Sequence, residues 1–291
     1  MTKRVRIWLY ALAALIVLSP FMFILALDYY AIARLKPAPL SDMTLIAHAG
    51  GGLKQGMKSN AMEAFDQSAQ RGFIYIEADF SETKSGELVL IHNWDMAWHE
   101  WFSGLHFMPD RWAKERPEQA ETAAKFLSAD MRRGLTQMSA DDLMAWLESN
   151  PNIRLITDFK DAPLQNLRTL TTRYPAMTSR IIPQIYHPDE YEPVKAMGYK
   201  DIIFTAYRSK LPDDEIIAFM DQNEILALTV PVETVTDHLI TEATLRGIPV
   251  WVHRGKNSSP YTIMNTPEFA ARWKARGISG LYTDYLYPAD E

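Results

Sequence analysis

A chain of 291 residues with 47% hydrophobic residues is long enough, and apolar enough, for a single α/β barrel with a sizeable core. It has no cysteine, which excludes disulfides and thiolate metal sites. The net charge is −6, and the first 36 residues hold five basic residues and one acidic residue, so the remainder sets 25 basic against 35 acidic residues. An acidic domain of this kind is a poor partner for DNA or RNA and a reasonable host for a cation.

Residues 7–27 (IWLYALAALIVLSPFMFILAL) carry no charge and are long enough to cross a bilayer, which takes ~20 apolar residues. Pro20 is tolerable there as a kink. The alternative is a cleaved signal peptide, whose apolar region is usually only ~7–15 residues, with "AIA" at 31–33 as the cleavage site. Lys3, Arg4 and Arg6 precede the stretch, while Arg34 and Lys36 follow it with Asp28 in partial offset. That bias puts the N-terminus in the cytoplasm. The expectation is a single-pass anchor in the inner membrane over residues 1–36, a linker over 37–43, and a folded domain over 44–291 on the periplasmic or extracytoplasmic side.

From residue 44 onward, strands are expected at 44–48, 73–80, 87–92, 153–159, 180–185, 201–205, 225–230, 248–252 and 280–284. Helical patterns sit between them at 60–71, 140–149, 163–173, 188–197, 213–222, 233–246 and 266–276. This alternation implies parallel strands with helical crossovers. It closes most naturally into a (β/α)8 TIM barrel, with a doubly wound open sheet as the other arrangement. Nine strands for eight places leave one peripheral. Residues 94–137 break the rhythm as an insertion carrying Trp94, Trp98, Trp101 and Trp112. It reads either as a helical excursion packed on the barrel or as a lid or lipid-touching surface.

In a parallel barrel the C-terminal strand ends converge on one mouth. The first strand ends in His48, the second carries Glu77 and Asp79, the third ends in His92, and the fourth ends in Asp158 with Lys160 beyond it. Glu77 and Asp79 share one strand face and repel unless a cation or proton lies between them. Taken alone, such a pair is as well explained by a partner lysine or arginine. Two strand-end histidines nearby favour chemistry, one taking a proton from a nucleophile and the other giving one to a leaving group. Oxygen-rich ligation suits Mg2+ or Ca2+. "NAME" at 60–63 has a capping-box pattern, and that helix start could also face an anion.

"HAGG" at 48–51, followed by "SNAMEAFDQSAQRGFIYIEADFSETKSGELVLIHNWD", "TDFK" at 157–160, "VWVHRGKN" at 250–257 and "LYTD" at 281–284, resembles the glycerophosphodiester phosphodiesterase family. "IIPQIY" and the His-Ala-Gly-Gly start are similar to a bacterial branch grouped with phosphatidylinositol-specific phospholipase C. The resemblance covers nearly all of 44–285. It implies a (β/α)8 fold, one divalent metal and phosphodiester hydrolysis assisted by two histidines. By position, it makes Glu77, Asp79 and Asp158 the metal ligands and His48 and His92 the acid/base pair. Asn60, Lys160, Gln184, Tyr186, Trp251 and His253 would lie near substrate or phosphate.

There are three departures. Ala49 replaces an arginine that lies near the phosphate in relatives, so Lys160 or His253 is expected to supply that charge. Ser59 replaces a glutamate that is a candidate ligand. Asn93 replaces the aspartate after the second histidine. The expected activity is hydrolysis of a glycerophosphodiester or lipid-headgroup phosphodiester. The alternatives are a lyase or transferase that forms a cyclic phosphate, and a barrel that binds phosphorylated headgroups without turnover.

Overall fold

The computed structural model describes residues 37–94, 97, 101–102, 121–254 and 265–289. The apolar stretch 7–27, Trp98 and Trp112 lie outside the described residues. Among the described residues, no helix is long and apolar enough to cross a membrane.

In chain order the strands are β1 (Ala38–Leu40), β2 (Thr44–Ala47), β3 (Tyr75–Glu82), β4 (Leu88–Leu90), β5 (Arg154–Phe159), β6 (Ile181–Ile185), β7 (Ile203–Thr205), β8 (Ala227–Pro231), β9 (Val250–His253), β10 (Gly280–Thr283) and β11 (Leu286–Pro288). The helices are α1 (Met62–Gln70), α2 (Ala123–Ser128), α3 (Ala140–Ser149), α4 (Pro163–Arg173), α5 (Tyr191–Ala196), α6 (Asp213–Gln222), α7 (Asp237–Leu245) and α8 (Pro267–Lys274). The barrel strands β2, β3 and β5–β10 run parallel, and β2 pairs with both β3 and β10, so the ring closes. Closure bears out the barrel and rules out the open sheet.

The peripheral ninth strand is β4. β3 continues past Phe80, where its pairing with β5 ends, and β4 folds back on it antiparallel, Ser81 opposite Val89. His92 is therefore not at the end of a parallel barrel strand. A hairpin returns it to the mouth. The linker reading of 37–43 also needs correction: Ala38–Leu40 pairs in parallel with Leu286–Pro288. Ala38 and Leu40 pack on the core, which gives this short stretch a reason to order.

Strand periodicity sorts the core into two layers. Leu45, Ile76, Leu155, Ile181, Phe204, Leu228, Val250 and Leu281 point outward to the layer beneath the helices. Ile46, Ile156, Ile182, Ile203, Ala227, Trp251 and Tyr282 fill the inside of the ring, with Tyr75 against them. Trp94 and Trp101 are buried, Trp94 edge-on to Phe126 of α2 with ring centroids 5.8 Å apart, so this part of the insertion packs inward.

Candidate active site

The inward parity carries straight into the mouth. Two residues beyond Ile46 is His48, beyond Ile156 is Asp158, beyond Ile182 is Gln184, beyond Trp251 is His253 and beyond Tyr282 is Asp284. Glu77 and Asp79 follow Tyr75 in the same way. Together they line a cavity of about 920 Å³ with His92, Lys160 and Tyr186.

The three expected metal ligands converge. One carboxylate oxygen from each of Glu77, Asp79 and Asp158 lies within 4.8 Å of the others, and Glu77 and Asp79 are 2% and 1% exposed. Each carboxylate is braced. Glu77 Oε2 accepts from the Ala49 amide at 2.7 Å. Asp79 Oδ2 accepts from Asn60 Nδ2 at 2.9 Å and Oδ1 lies 2.7 Å from Lys160 Nζ. Asp158 accepts from Lys160 and from the Tyr186 hydroxyl. Burial would lower the Lys160 pKa, but Asp158, Asp79 and Glu77 outweigh it and hold the ammonium above its ordinary value. Burial likewise pushes Asp79 up, but Lys160, His92, His48 and the Asn60 amide hold it below the usual carboxylate range. Glu77 goes the other way: burial, then Asp79 and Asp158, raise it well above its ordinary value.

That contrast tests the site for a cation. Three carboxylates, two of them buried, face one ammonium, so charge balance needs Glu77 protonated or a cation present. Each braced oxygen keeps a second lone pair. An all-oxygen donor set with excess negative charge fits a hard divalent ion.

The two histidines have different neighbours. His48 Nδ1 lies 3.6 Å from Asp284 Oδ1, a buried oxygen without a hydrogen-bond partner among the described residues. His92 Nδ1 lies 3.0 Å from Asn93 Nδ2. Asn93 Oδ1 accepts from the Ala97 amide at 2.9 Å, which turns the NH2 toward the ring. His92 Nδ1 is thus an acceptor, and the neutral ring carries its hydrogen on Nε2. Burial lowers the His92 pKa despite the pull of Asp79.

The structure redistributes the residues expected near substrate. Gln184, Tyr186, Lys160 and His253 line the cavity. Asn60 does not; its amide is committed to Asp79, donating to Oδ2 and accepting from the Asp79 amide at 3.0 Å. The capping box at 60–63 does not form. Asn60 has φ +52, a left-handed conformation asparagine tolerates, which sends its side chain away from the helix start. Glu63 instead accepts from the Thr136 amide and hydroxyl, at 2.9 and 2.7 Å. Trp251 lies inside the ring below the cavity rather than beside a substrate.

Neither expected substitute for the arginine missing at Ala49 has charge to spare. Lys160 is held between two carboxylates. Burial pushes His253 down to about 4, so it is neutral near pH 7. Its Nδ1 lies 2.9 Å from the Arg254 carbonyl oxygen, which can only accept, so Nε2 is a hydrogen-bond acceptor.

Sequence reasoning missed Tyr207, Arg208, Lys210 and Tyr282, all on the cavity wall. Tyr282 was within reach of the parity argument, being inward on β10. The other three follow β7 in a loop, where no periodicity marks direction. The glycine run after His48 has a packing cause: a Cβ on Gly52 would sit 2.1 Å from the Asp284 carbonyl oxygen, to which the Gly52 amide donates at 2.9 Å. The close approach ties the His48 turn to the backbone that carries Asp284.

No family model matches the chain, and no curated protein matches its sequence. Solved structures do match. A Galdieria sulphuraria protein ascribed glycerophosphodiester phosphodiesterase activity is 17% identical over 87% of this chain and 96% of its own, with a TM-score of 0.64. The glycerophosphodiester phosphodiesterase of Thermotoga maritima is 17% identical over 84% and 95%, TM-score 0.58. A phosphodiesterase of Oleispira antarctica, in complex with the product sn-glycerol-3-phosphate, is 12% identical over 83% and 93%, TM-score 0.59. The barrel is that of the solved glycerophosphodiester phosphodiesterases. At these identities the likeness establishes the fold.

Proposed function

We propose that the chain is a divalent-cation-dependent phosphodiesterase acting on a glycerophosphodiester or lipid-headgroup phosphodiester through two-histidine acid–base chemistry. The observation that carries this reading is the convergence of Glu77, Asp79 and Asp158 in one cavity with His48 and His92. The likeness to glycerophosphodiester phosphodiesterases, one of them holding sn-glycerol-3-phosphate, supports it. Glu77, Asp79 and Asp158 would hold Mg2+ or Ca2+, which when bound neutralises charge developing on a phosphoryl oxygen.

His48 is the base. With Nδ1 facing Asp284, its hydrogen sits there and Nε2 takes the proton of the nucleophile, either water or a hydroxyl of the substrate. Asp284 steadies the imidazolium that results. His92 is the acid, giving its proton to the departing alcohol. Its lowered pKa makes its imidazolium a readier donor, and protonating Nδ1 requires the Asn93 amide to present its oxygen instead. We also keep the N-terminal stretch as a membrane anchor with the barrel on the extracytoplasmic side, on the sequence grounds given above.

The test is an assay of glycerophosphodiesters with the wild type, His48→Ala, His92→Ala and chelated protein. All three perturbations should cut turnover about 100-fold or more. Full activity after any one of them overturns the reading. Phosphorus NMR of the products separates the two nucleophiles, since a cyclic phosphate appears only when a substrate hydroxyl attacks.

A further inference from the structure

Among the described residues, five cationic side chains line the cavity, Lys58, Lys160, Arg208, Lys210 and Arg254, and the phosphodiester's charge needs one aimed at it. Ala49 supplies none, Lys160 is consumed by Asp79 and Asp158, and His253 presents a lone pair. The loop after β7 offers a cation on the wall. Arg208 lines the cavity, and its side chain is 29% exposed. Its guanidinium carbon stacks 3.9 Å over the Tyr186 ring, and Nε donates to the Tyr207 hydroxyl at 3.0 Å. Nη2 lies 3.9 Å from Asp158 Oδ1, too far for a hydrogen bond. Asp158 is already served by Lys160 and Tyr186. Arg208 is therefore not needed to satisfy Asp158. Among the described residues, neither Nη group donates a hydrogen bond. Stacking and the Tyr207 contact fix the plane of the fork, and a planar fork held beside the carboxylate cluster suits two oxygens of one phosphoryl group.

We infer that Arg208 binds the non-bridging oxygens of the substrate phosphodiester from the loop after β7. The assignment rests on the phosphodiesterase reading, and its test separates the two. Inorganic phosphate is titrated calorimetrically, with Mg2+ present, into the full-length wild type and the Arg208→Met, Arg208→Lys and Arg208→Ala variants. Turnover of glycerophosphodiesters is measured alongside. Methionine keeps apolar contact with Tyr186 and removes the charge, and thermal melts verify folding. Arg208→Met and Arg208→Ala should weaken phosphate binding about 10- to 100-fold, the range of a hydrogen bond to a charged group. Arg208→Lys should fall in between, and millimolar guanidinium should restore part of the Arg208→Ala turnover. If Arg208→Met binds phosphate within about twofold of wild type, at the precision of such changes, the assignment is wrong, even if hydrolysis is confirmed. If phosphate binding drops but the wild type cleaves no phosphodiester, the hydrolytic reading is wrong and the anion site stands.

Discussion

The strands from β2 to β5 give the cavity a wall of charge, and those from β6 to β10 give it a wall of rings. From β2 to β5 come His48, Glu77, Asp79, His92, Asp158 and Lys160, cross-bonded at 2.5–2.7 Å where the lysine meets the aspartates. From β6 to β10 come edge-to-face rings: Tyr186 and Tyr207 with centroids 5.7 Å apart, Tyr207 and His253 5.3 Å, His253 and Tyr282 6.2 Å. The charged wall stores mutual repulsion that only a proton or cation relieves. The ring wall stores none, and its polar atoms (His253 Nε2, the Arg208 fork) look for a partner from outside. On the proposed reading, one wall reacts and the other recognises. Asp284 is the carboxylate of the ring wall, and it faces His48 across the seam.

Kinetics give the largest contrast. His48→Ala or His92→Ala should lower kcat by about 10²–10⁴, the usual share of acid–base catalysis. Tyr207→Ala should mainly raise KM. Equal kcat losses on both walls would break the division. Next comes cation affinity. Glu77, held above its ordinary range, must lose a proton when a cation binds, so affinity should rise with pH by up to about tenfold per unit until that proton is gone. Calorimetry across pH would reveal a flat affinity if Glu77 were already ionised.

The floor shared by both walls is tested by Gly280→Ala. An added Cβ would lie 2.3 Å from Trp251 Cδ1, an overpacking that should cost about 1–3 kcal/mol, read as a lowered melting temperature. Asn93→Asp should raise the His92 pKa, because a carboxylate favours the imidazolium. It should move the basic limb of the pH–rate profile up by about one unit. An unmoved limb would mean that His92 is not the acid. A last test concerns His253. Its folded pKa of about 4 lies below the ordinary 6.5, so the unfolded chain binds the proton first. Stability should therefore fall as pH drops from 6.5 toward 4, and His253→Gln should flatten part of that fall in acid-denaturation curves.

How legible each residue was follows from the physics of its element. Strand parity has a period of two, so His48, Glu77, Asp79, Asp158 and Gln184 could be aimed correctly from sequence alone. Trp251, which the resemblance placed near substrate, is inward but one layer below the cavity, because position near a strand end does not fix height. His92 was placed at the mouth for the wrong reason, since a hairpin brings it there. Asn60 hid behind a plausible capping pattern; its left-handed backbone is set by tertiary contact with Asp79 and leaves no local trace. Arg208 and Tyr207 lie in a loop, where composition says nothing about direction. Ala38–Leu40 looked like linker because a three-residue edge strand has too few residues to show alternation.

That edge strand also determines how the domain would hang. The Ala38 amide donates to the carbonyl of Tyr285, one residue past Asp284, and β1 runs from there alongside β11. The chain thus enters the barrel at the rim that carries the cavity and not at its base. If residues 7–27 span a bilayer as proposed, the ten residues between that stretch and Ala38 can reach at most ~36 Å. A leash that short, attached at the rim, would hold the cavity toward the leaflet and favour substrates still embedded in it over solutes arriving from the bulk.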